Sequence, residues 1–228
     1  MRTYLKALIN LFYPKACVGC GVSLLREEEF LCVTCELELP INPFLGEENN
    51  EIKIVFAGRL PLLSANTFLY FSKNGIAQHL IHALKYEDRQ DVGKFLGNRF
   101  GQELAKTGIL PIDAVIPVPL HPDKEKLRGY NQCLSIAEGL ADALNSVVLD
   151  DVVKRNVSNP SQTKLNRAKR WDNVSGIFSL TNPDALANKH ILLIDDTLTT
   201  GATLESCGSE ILEATGAKLS IATLAYAK

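Results

Sequence analysis

The chain has 228 residues, of which 46% are hydrophobic and 22% are charged, and its formal net charge is −2 at pH 7. This composition excludes an intrinsically disordered chain and argues against a protein whose main role is to coat nucleic acid. No apolar run approaches the roughly 20 residues that span a bilayer, and the N-terminus does not read as a cleavable signal peptide. We therefore expect a cytoplasmic protein without a membrane span.

Four of the six cysteines lie close together near the N-terminus. Cys17, Cys20, Cys32 and Cys35 follow the spacing C-x2-C-x11-C-x2-C. Two such turns bring four thiolates to one point and complete a tetrahedral Zn²⁺ site. Two disulfides are an alternative, but they are disfavoured because the sequence gives no secretory context, and a redox C-x2-C motif needs only one pair. We predict structural zinc.

The predicted organisation is a small N-terminal unit followed by a larger domain. Residues 1–45 are expected to hold a short helix, over residues 1–13, and the zinc segment, and residues 46–228 are expected to form the second domain. In the second domain, β-rich stretches at 52–57 and 65–71 predict a hairpin.

Helices and strands alternate over the rest of the chain. Helical periodicity begins at Gly75 and recurs over residues 92–106. Beyond residue 111, short aliphatic runs separated by helices indicate crossover units and a parallel sheet that is buried on both faces. The strand candidates are residues 114–118, 146–153, 176–180, 190–194 and 219–225, and the helices between them are residues 131–144 and 203–215.

The most informative segment is an apolar strand followed by two carboxylates and a loop of small residues. Asp195 and Asp196 are expected at the carboxyl end of the strand, where open α/β sheets bind ligands. The loop that follows contains Thr197, Leu198, Thr199, Thr200, Gly201, Ala202 and Thr203. Its backbone N–H groups and the helix that it opens suit a phosphate, and the carboxylates suit ribose hydroxyls. The segment therefore predicts a ribose 5-phosphate site.

The alternative for this segment is a plain strand end followed by a helix cap. A second apolar run in the same chain, residues 147–149, also precedes two aspartates, Asp150 and Asp151. No Thr/Gly loop follows there, so that acidic pair is interpreted as a strand edge. The specific feature at residues 191–203 is the combination of acidic pair and loop. Neither a Walker loop nor a dinucleotide fingerprint is present.

With these motifs, the sequence resembles the type I phosphoribosyltransferases, whose phosphoribosyl pyrophosphate loop has the same hydrophobic–Asp-Asp–x3–Thr-Gly–x-Thr form. It is more similar still to the ComF family. The stretches that carry the closer similarity are the four-cysteine segment, residues 83–86, residues 117–122 running into residues 128–132, and Gln162 and Leu165 followed by Arg170, Asn173, Gly176 and Phe178.

The resemblance implies a fold and a set of site residues. The implied fold class is α/β, a doubly wound and mostly parallel five-stranded type I phosphoribosyltransferase sheet with a small zinc-ribbon-like N-terminal segment. It implies that Asp195 and Asp196 act with Arg167 and Arg170, the latter two in a basic loop over residues 154–170 that closes over the ligand. A pyrophosphate loop is implied at Val118, Pro119, Leu120 and His121, together with Lys85.

The sequence supports two candidate functions. The first is a glycosyltransferase of the phosphoribosyltransferase class, which uses Mg²⁺ and transfers the phosphoribosyl group of phosphoribosyl pyrophosphate to an unknown acceptor. The second is a non-catalytic adaptor or regulator in DNA uptake, which binds single-stranded DNA or competence proteins through the zinc segment and the basic loop. Release of pyrophosphate would favour the first function, and salt-sensitive DNA binding would favour the second.

Overall fold

The computed structural model describes residues 15–156, 176–214 and 216–227. The helix predicted over residues 1–13 lies outside the described residues, as does the basic loop from residue 157 to residue 170. In the described part of the chain, every helix is too short or too polar to cross a membrane.

Seven α-helices and seven strands are described. The helices are α1 (Val33–Leu37), α2 (Glu51–Val55), α3 (Ile76–Tyr86), α4 (Gln90–Lys106), α5 (Pro122–Arg128), α6 (Gln132–Leu144) and α7 (Ala202–Leu212), with a 3₁₀ helix at Pro183–Leu186. The strands are β1 (Leu62–Tyr70), β2 (Ala114–Pro117), β3 (Val147–Val148), β4 (Val153–Arg155), β5 (Phe178–Leu180), β6 (His190–Leu198) and β7 (Lys218–Tyr226).

Five of the strands form a parallel sheet in the order β1-β7-β6-β2-β3. The chain leaves β2 towards β3 on one side and leaves β6 towards β7 on the other, so the direction of winding reverses between β2 and β6. Open sheets of this kind bind ligands beyond the carboxyl ends of their strands at such a reversal. The predicted fold class, a doubly wound five-stranded sheet, is confirmed.

Helices cover both faces of the sheet because successive strand residues point to opposite faces. On β6, Leu192 and Ile194 pack with the core formed by α3, α4 and α6. Ile191 and Leu193 pack with α2 and α7 on the other face. The central strand is therefore fully buried, which fixes the position of the residues that follow it.

The cysteine segment packs against the sheet domain. Cys17, Leu31 and Cys35 share a core with Leu80 and Leu84 of α3. The boundary predicted between residues 45 and 46 stays a prediction.

The strands predicted over residues 52–57, 146–153 and 176–180 differ from the structure, and β6 ends later than predicted. Residues 52–57 are not a strand: Asn50 accepts hydrogen bonds from the N–H groups of Ile52 and Lys53, both at 3.0 Å, and this cap starts the helix α2. The predicted hairpin is therefore wrong, and β1 pairs in parallel with β7 instead. The strand predicted over residues 146–153 is divided into β3 and the start of β4, and β4 pairs with β5 in a separate antiparallel sheet.

Candidate functional site

The two aspartates lie on β6 beyond the end of its neighbour β2. The pairing of β6 with β2 ends at Ile194, whereas its pairing with β7 continues to Leu198. At Asp195 and Asp196, therefore, none of the described strands pairs with the edge of β6 that faces β2. The loops that follow β2 and β6 flank this opening, which is the place where the fold predicts a ligand.

Asp196 is buried and is held by two side chains from other elements. Its Oδ1 atom lies 2.8 Å from Nζ of Lys85, at the end of α3. Its Oδ2 atom accepts a hydrogen bond from the side-chain amide of Gln132, at the start of α6. Gln132 in turn accepts a hydrogen bond from Arg128. The charge of Asp196 is thus balanced within the protein, since it has both a cation and a neutral donor.

Asp195 has a different environment. Its Oδ1 atom accepts hydrogen bonds from the backbone N–H of Asp196 at 2.8 Å and from the Cys133 thiol at 3.4 Å. Burial, together with the charge of Asp196, raises the pKa of Asp195 to about 6. Burial and the neighbouring Asp195 also raise the pKa of Cys133, so this cysteine is a neutral donor near neutral pH. Above pH 6, Asp195 is an ionised acceptor at the opening.

The predicted phosphate loop connects β6 to the N-terminus of α7. Leu198 is buried, whereas Thr199, Thr200 and Ala202 are exposed. Gly201 has φ = 77°, a conformation that favours glycine, and it is the N-cap of α7. Gly201 has no side chain to cap this helix, and the Ala202 N–H makes only a long hydrogen bond, 3.5 Å, to the Thr200 hydroxyl. The N-terminus of α7 is therefore suited to an anion. The hydroxyl of Thr197 accepts a hydrogen bond from Lys85 at 3.3 Å, and Thr203 lies in the first turn of α7.

The predicted pyrophosphate loop lies on the other side of the opening. Val118 is bound to β6 through a hydrogen bond from its N–H to the Ile194 carbonyl, 2.9 Å long. The side chain of Asn131 caps α6 and also donates to the Val118 carbonyl at 3.0 Å. The loop continues through Pro119 and Leu120 to His121, and His121 caps α5.

A cavity of about 590 Å³ lies between the end of α3 and α5, the helix that follows this loop. The residues that line it are Lys85, Tyr86, Glu87, Asp88, Lys124, Leu127, Arg128 and Tyr130. Three cations and two carboxylates therefore face the cavity, and Lys85 connects it to Asp196. Tyr130 fixes this wall by donating a hydrogen bond to the Leu84 carbonyl.

The four N-terminal cysteines form a cluster. The sulfur atoms of Cys17, Cys20, Cys32 and Cys35 all lie within 4.8 Å of one another. Burial raises the pKa of the Cys17 thiol, but hydrogen bonds from backbone N–H groups, chiefly that of Cys32, outweigh burial and lower this pKa to about 7. Four thiols at these distances are a donor set that fits a tetrahedral metal ion such as zinc, and none of the four is in a disulfide.

Not all predicted site residues are described. The structure brings Lys85, Asp195, Asp196 and the two loops together at one opening. Arg167 and Arg170 lie outside the described residues. Sequence reasoning did not assign the contact of Gln132 with Asp196, or that of Cys133 with Asp195. Both residues begin α6, the second helix after the predicted pyrophosphate loop, and Gln132 also lies in the stretch 128–132 that carries the family resemblance.

Comparisons with known proteins find similarity to a phosphoribosyl transferase domain and to competence and DNA utilization proteins. The model of the phosphoribosyl transferase domain matches residues 131–228. Competence protein F of Haemophilus influenzae is 25% identical over 205 residues, which cover 85% of this chain and 89% of the relative. Competence protein ComFC of Bacillus subtilis is 26% identical over 83% of this chain and 81% of the relative. The DNA utilization protein YhgH of Escherichia coli is 27% identical over 58% of this chain, and the chain spans 60% of its length.

Solved structures with some similarity are also found. The glutamine phosphoribosylpyrophosphate amidotransferase of Bacillus subtilis has a TM-score of 0.44 at 20% identity, covering 63% of this chain and 30% of that one. A hypoxanthine phosphoribosyltransferase of Staphylococcus aureus has a TM-score of 0.33 at 18% identity, covering 60% of this chain and 64% of that one. The resemblance identified from the sequence is confirmed by the domain match and by the competence relatives.

Proposed function

We propose that this chain is a phosphoribosyltransferase that binds phosphoribosyl pyrophosphate. The proposal is supported by its match to a phosphoribosyl transferase domain and by its homology to competence proteins F and ComFC. The observation that carries the proposal is the opening between β2 and β6. An ionised acceptor, Asp195, lies there between the loop that opens α7 and the loop that leads into α5, and α5 lines the cavity that also contains Lys85.

Each part of the ligand has a proposed place in this opening. The 5-phosphate would bind the N–H groups and hydroxyls of residues 199–203, and the ribose hydroxyls would donate to Asp195. Asp196 already has Lys85 and Gln132 as partners, so we assign it to holding Lys85 beside the pyrophosphate. Residues 118–121 would hold the pyrophosphate itself.

The proposed reaction breaks the bond between the anomeric carbon and the pyrophosphate oxygen. The leaving pyrophosphate takes the bonding electron pair, and the acceptor supplies the pair for the new bond. The contribution of the chain is therefore orientation and electrostatic stabilisation of the leaving group, to which Lys85, Lys124 and Arg128 of the cavity wall are proposed to contribute. A bound Mg²⁺ would neutralise pyrophosphate charge. Arg167 and Arg170 are proposed to close the site.

The test is calorimetric titration with phosphoribosyl pyrophosphate and Mg²⁺ at a pH of about 7.5, where Asp195 is ionised. We expect Asp195→Asn to weaken binding about ten-fold or more, because a charged acceptor of the ribose hydroxyls is lost. Asp150→Asn is the matched control, since Asp150 is an exposed aspartate of the other acidic pair. Equal affinity of wild type and Asp195→Asn would contradict the proposal. Pyrophosphate release in the presence of candidate acceptors then tests catalysis.

We propose structural zinc at the four cysteines, with all four positions of the ion filled by sulfur. The short distances between the four sulfur atoms support this assignment. A closed thiolate site leaves no position for water, so zinc would stabilise the segment without taking part in the transfer.

A second candidate function is a role in DNA uptake or use. It is supported by the names of the relatives, which are competence proteins and DNA utilization proteins. If the chain itself contacts DNA phosphates, a mobility shift of labelled single-stranded DNA should weaken steeply as salt is raised. A shift that is absent at low salt would contradict direct DNA binding, although it would leave the transferase proposal unaffected.

A further inference from the structure

Arg59 reaches the predicted phosphate loop from a distant part of the chain. It lies in the turn after α2, and its Nη1 atom donates to the carbonyl oxygens of Thr200 at 2.9 Å and Val55 at 3.0 Å. Its Nε atom donates to Oε2 of Glu205 at 2.9 Å, and Nη2 contacts the same oxygen. One guanidinium therefore joins the loop, the first turn of α7 and the end of α2.

The turn that carries Arg59 also supports the loop from behind. A Cβ atom on Gly201 would lie 2.8 Å from the ring of Phe56, so glycine is required at this contact. Phe56 is buried, and the Arg59 guanidinium lies 5.8 Å from the centre of its ring. The loop therefore packs against Phe56 at Gly201, and Arg59 binds it through the carbonyl oxygen of Thr200.

Glu205 presents an electrostatic problem at this position. It lies in the first turn of α7, whose N–H groups are the proposed 5-phosphate site. An unpaired carboxylate there would repel a phosphate dianion and would compete with it for the positive end of the helix. In the described residues, Arg59 is the cation paired with Glu205, and both side chains are about one-third exposed.

We propose that Arg59 is a positioning residue for the 5-phosphate. It neutralises Glu205 and turns the Thr200 carbonyl away from the anion, so that N–H groups and hydroxyls alone face the ligand. This inference rests on the proposed function, because it assigns a role in binding the same phosphate.

The test is calorimetric titration of the folded chain with ribose 5-phosphate. We expect Arg59→Gln to weaken binding about ten-fold or more, and Arg59→Lys to weaken it less because the charge is kept. In Arg59→Gln/Glu205→Gln the repelling carboxylate is also gone, so affinity should return to within about three-fold of wild type. The difference in affinity between wild type and Arg59→Gln should become smaller as salt is raised, because the Arg59–Glu205 pair is partly exposed to solvent.

The matched control is Arg99→Gln, which removes a partly exposed ion pair of the same type, Arg99 with Glu36, away from the loop. We expect it to bind within about two-fold of wild type. A double variant as weak as Arg59→Gln would overturn the charge role, since the loss would then be structural. If wild type binds ribose 5-phosphate and Arg59→Gln binds it with the same affinity, this inference is overturned but the proposed function is not. A wild type that does not bind ribose 5-phosphate or phosphoribosyl pyrophosphate would overturn the proposed function and this inference together.

Discussion

At the scale of single residues, the two neighbouring aspartates have different chemistry because their partners differ. Asp196 has Lys85 and Gln132 as partners, whereas Asp195 has a thiol and a backbone amide. Lys85 is therefore expected to stabilise the fold even when no ligand is bound. The side chain of Asp196 is only 8% exposed, and a buried carboxylate without its cation is costly.

We expect Lys85→Met to lower the free energy of unfolding by about 2–3 kcal/mol at pH 7. This is less than the roughly 3–5 kcal/mol found when a fully buried pair is broken, because the Lys85 side chain is itself 22% exposed. Urea unfolding followed by circular dichroism measures the change.

Lys85→Met/Asp196→Asn separates the charge effect from lost packing. The double variant has no buried carboxylate, so it should recover most of the stability that Lys85→Met loses. A cost below about 0.5 kcal/mol for Lys85→Met would show that the ion pair does not stabilise the fold.

At the scale of secondary structure, the elements that local sequence determines were predicted well. Helix α6 was expected over residues 131–144 and runs from Gln132 to Leu144, because Asn131 is a side-chain cap that is visible in the sequence. The loop after β6 and the four-cysteine spacing are also local patterns, and this is why the amino-acid sequence alone is enough to identify both.

Elements that depend on distant partners could not be predicted in the same way. Strand β6 was expected to end at Ile194, yet it continues to Leu198 because β7 supplies partners as far as Tyr226. The contact between Arg59 and Glu205 joins residues 146 positions apart. A lone arginine in a turn gives no periodicity or motif, so only the folded chain brings it to the predicted phosphate loop.

At the scale of the whole molecule, the cysteine segment and the candidate site are joined through helix α3. At one end, the His79 ring nitrogen Nδ1 lies 2.5 Å from the carbonyl oxygen of Gly19, between the first two cysteines. At the other end, Lys85 contacts Asp196. Since α3 also shares a buried core with Cys17 and Cys35, the cysteine segment is part of the structure that holds Lys85 in place.

The prediction at this scale is that loss of the metal destabilises the whole chain. Cys32→Ser should reduce bound zinc from about one ion per chain to none and lower the free energy of unfolding by several kcal/mol, because metal binding is coupled to folding. A chelator should lower the unfolding midpoint of wild type and leave that of Cys32→Ser unchanged. Cys207→Ala is the control, since this buried cysteine of α7 lies outside the cluster and its loss should leave the zinc content intact. Stoichiometric zinc in Cys32→Ser, or a wild-type midpoint that does not respond to the chelator, would contradict a structural metal.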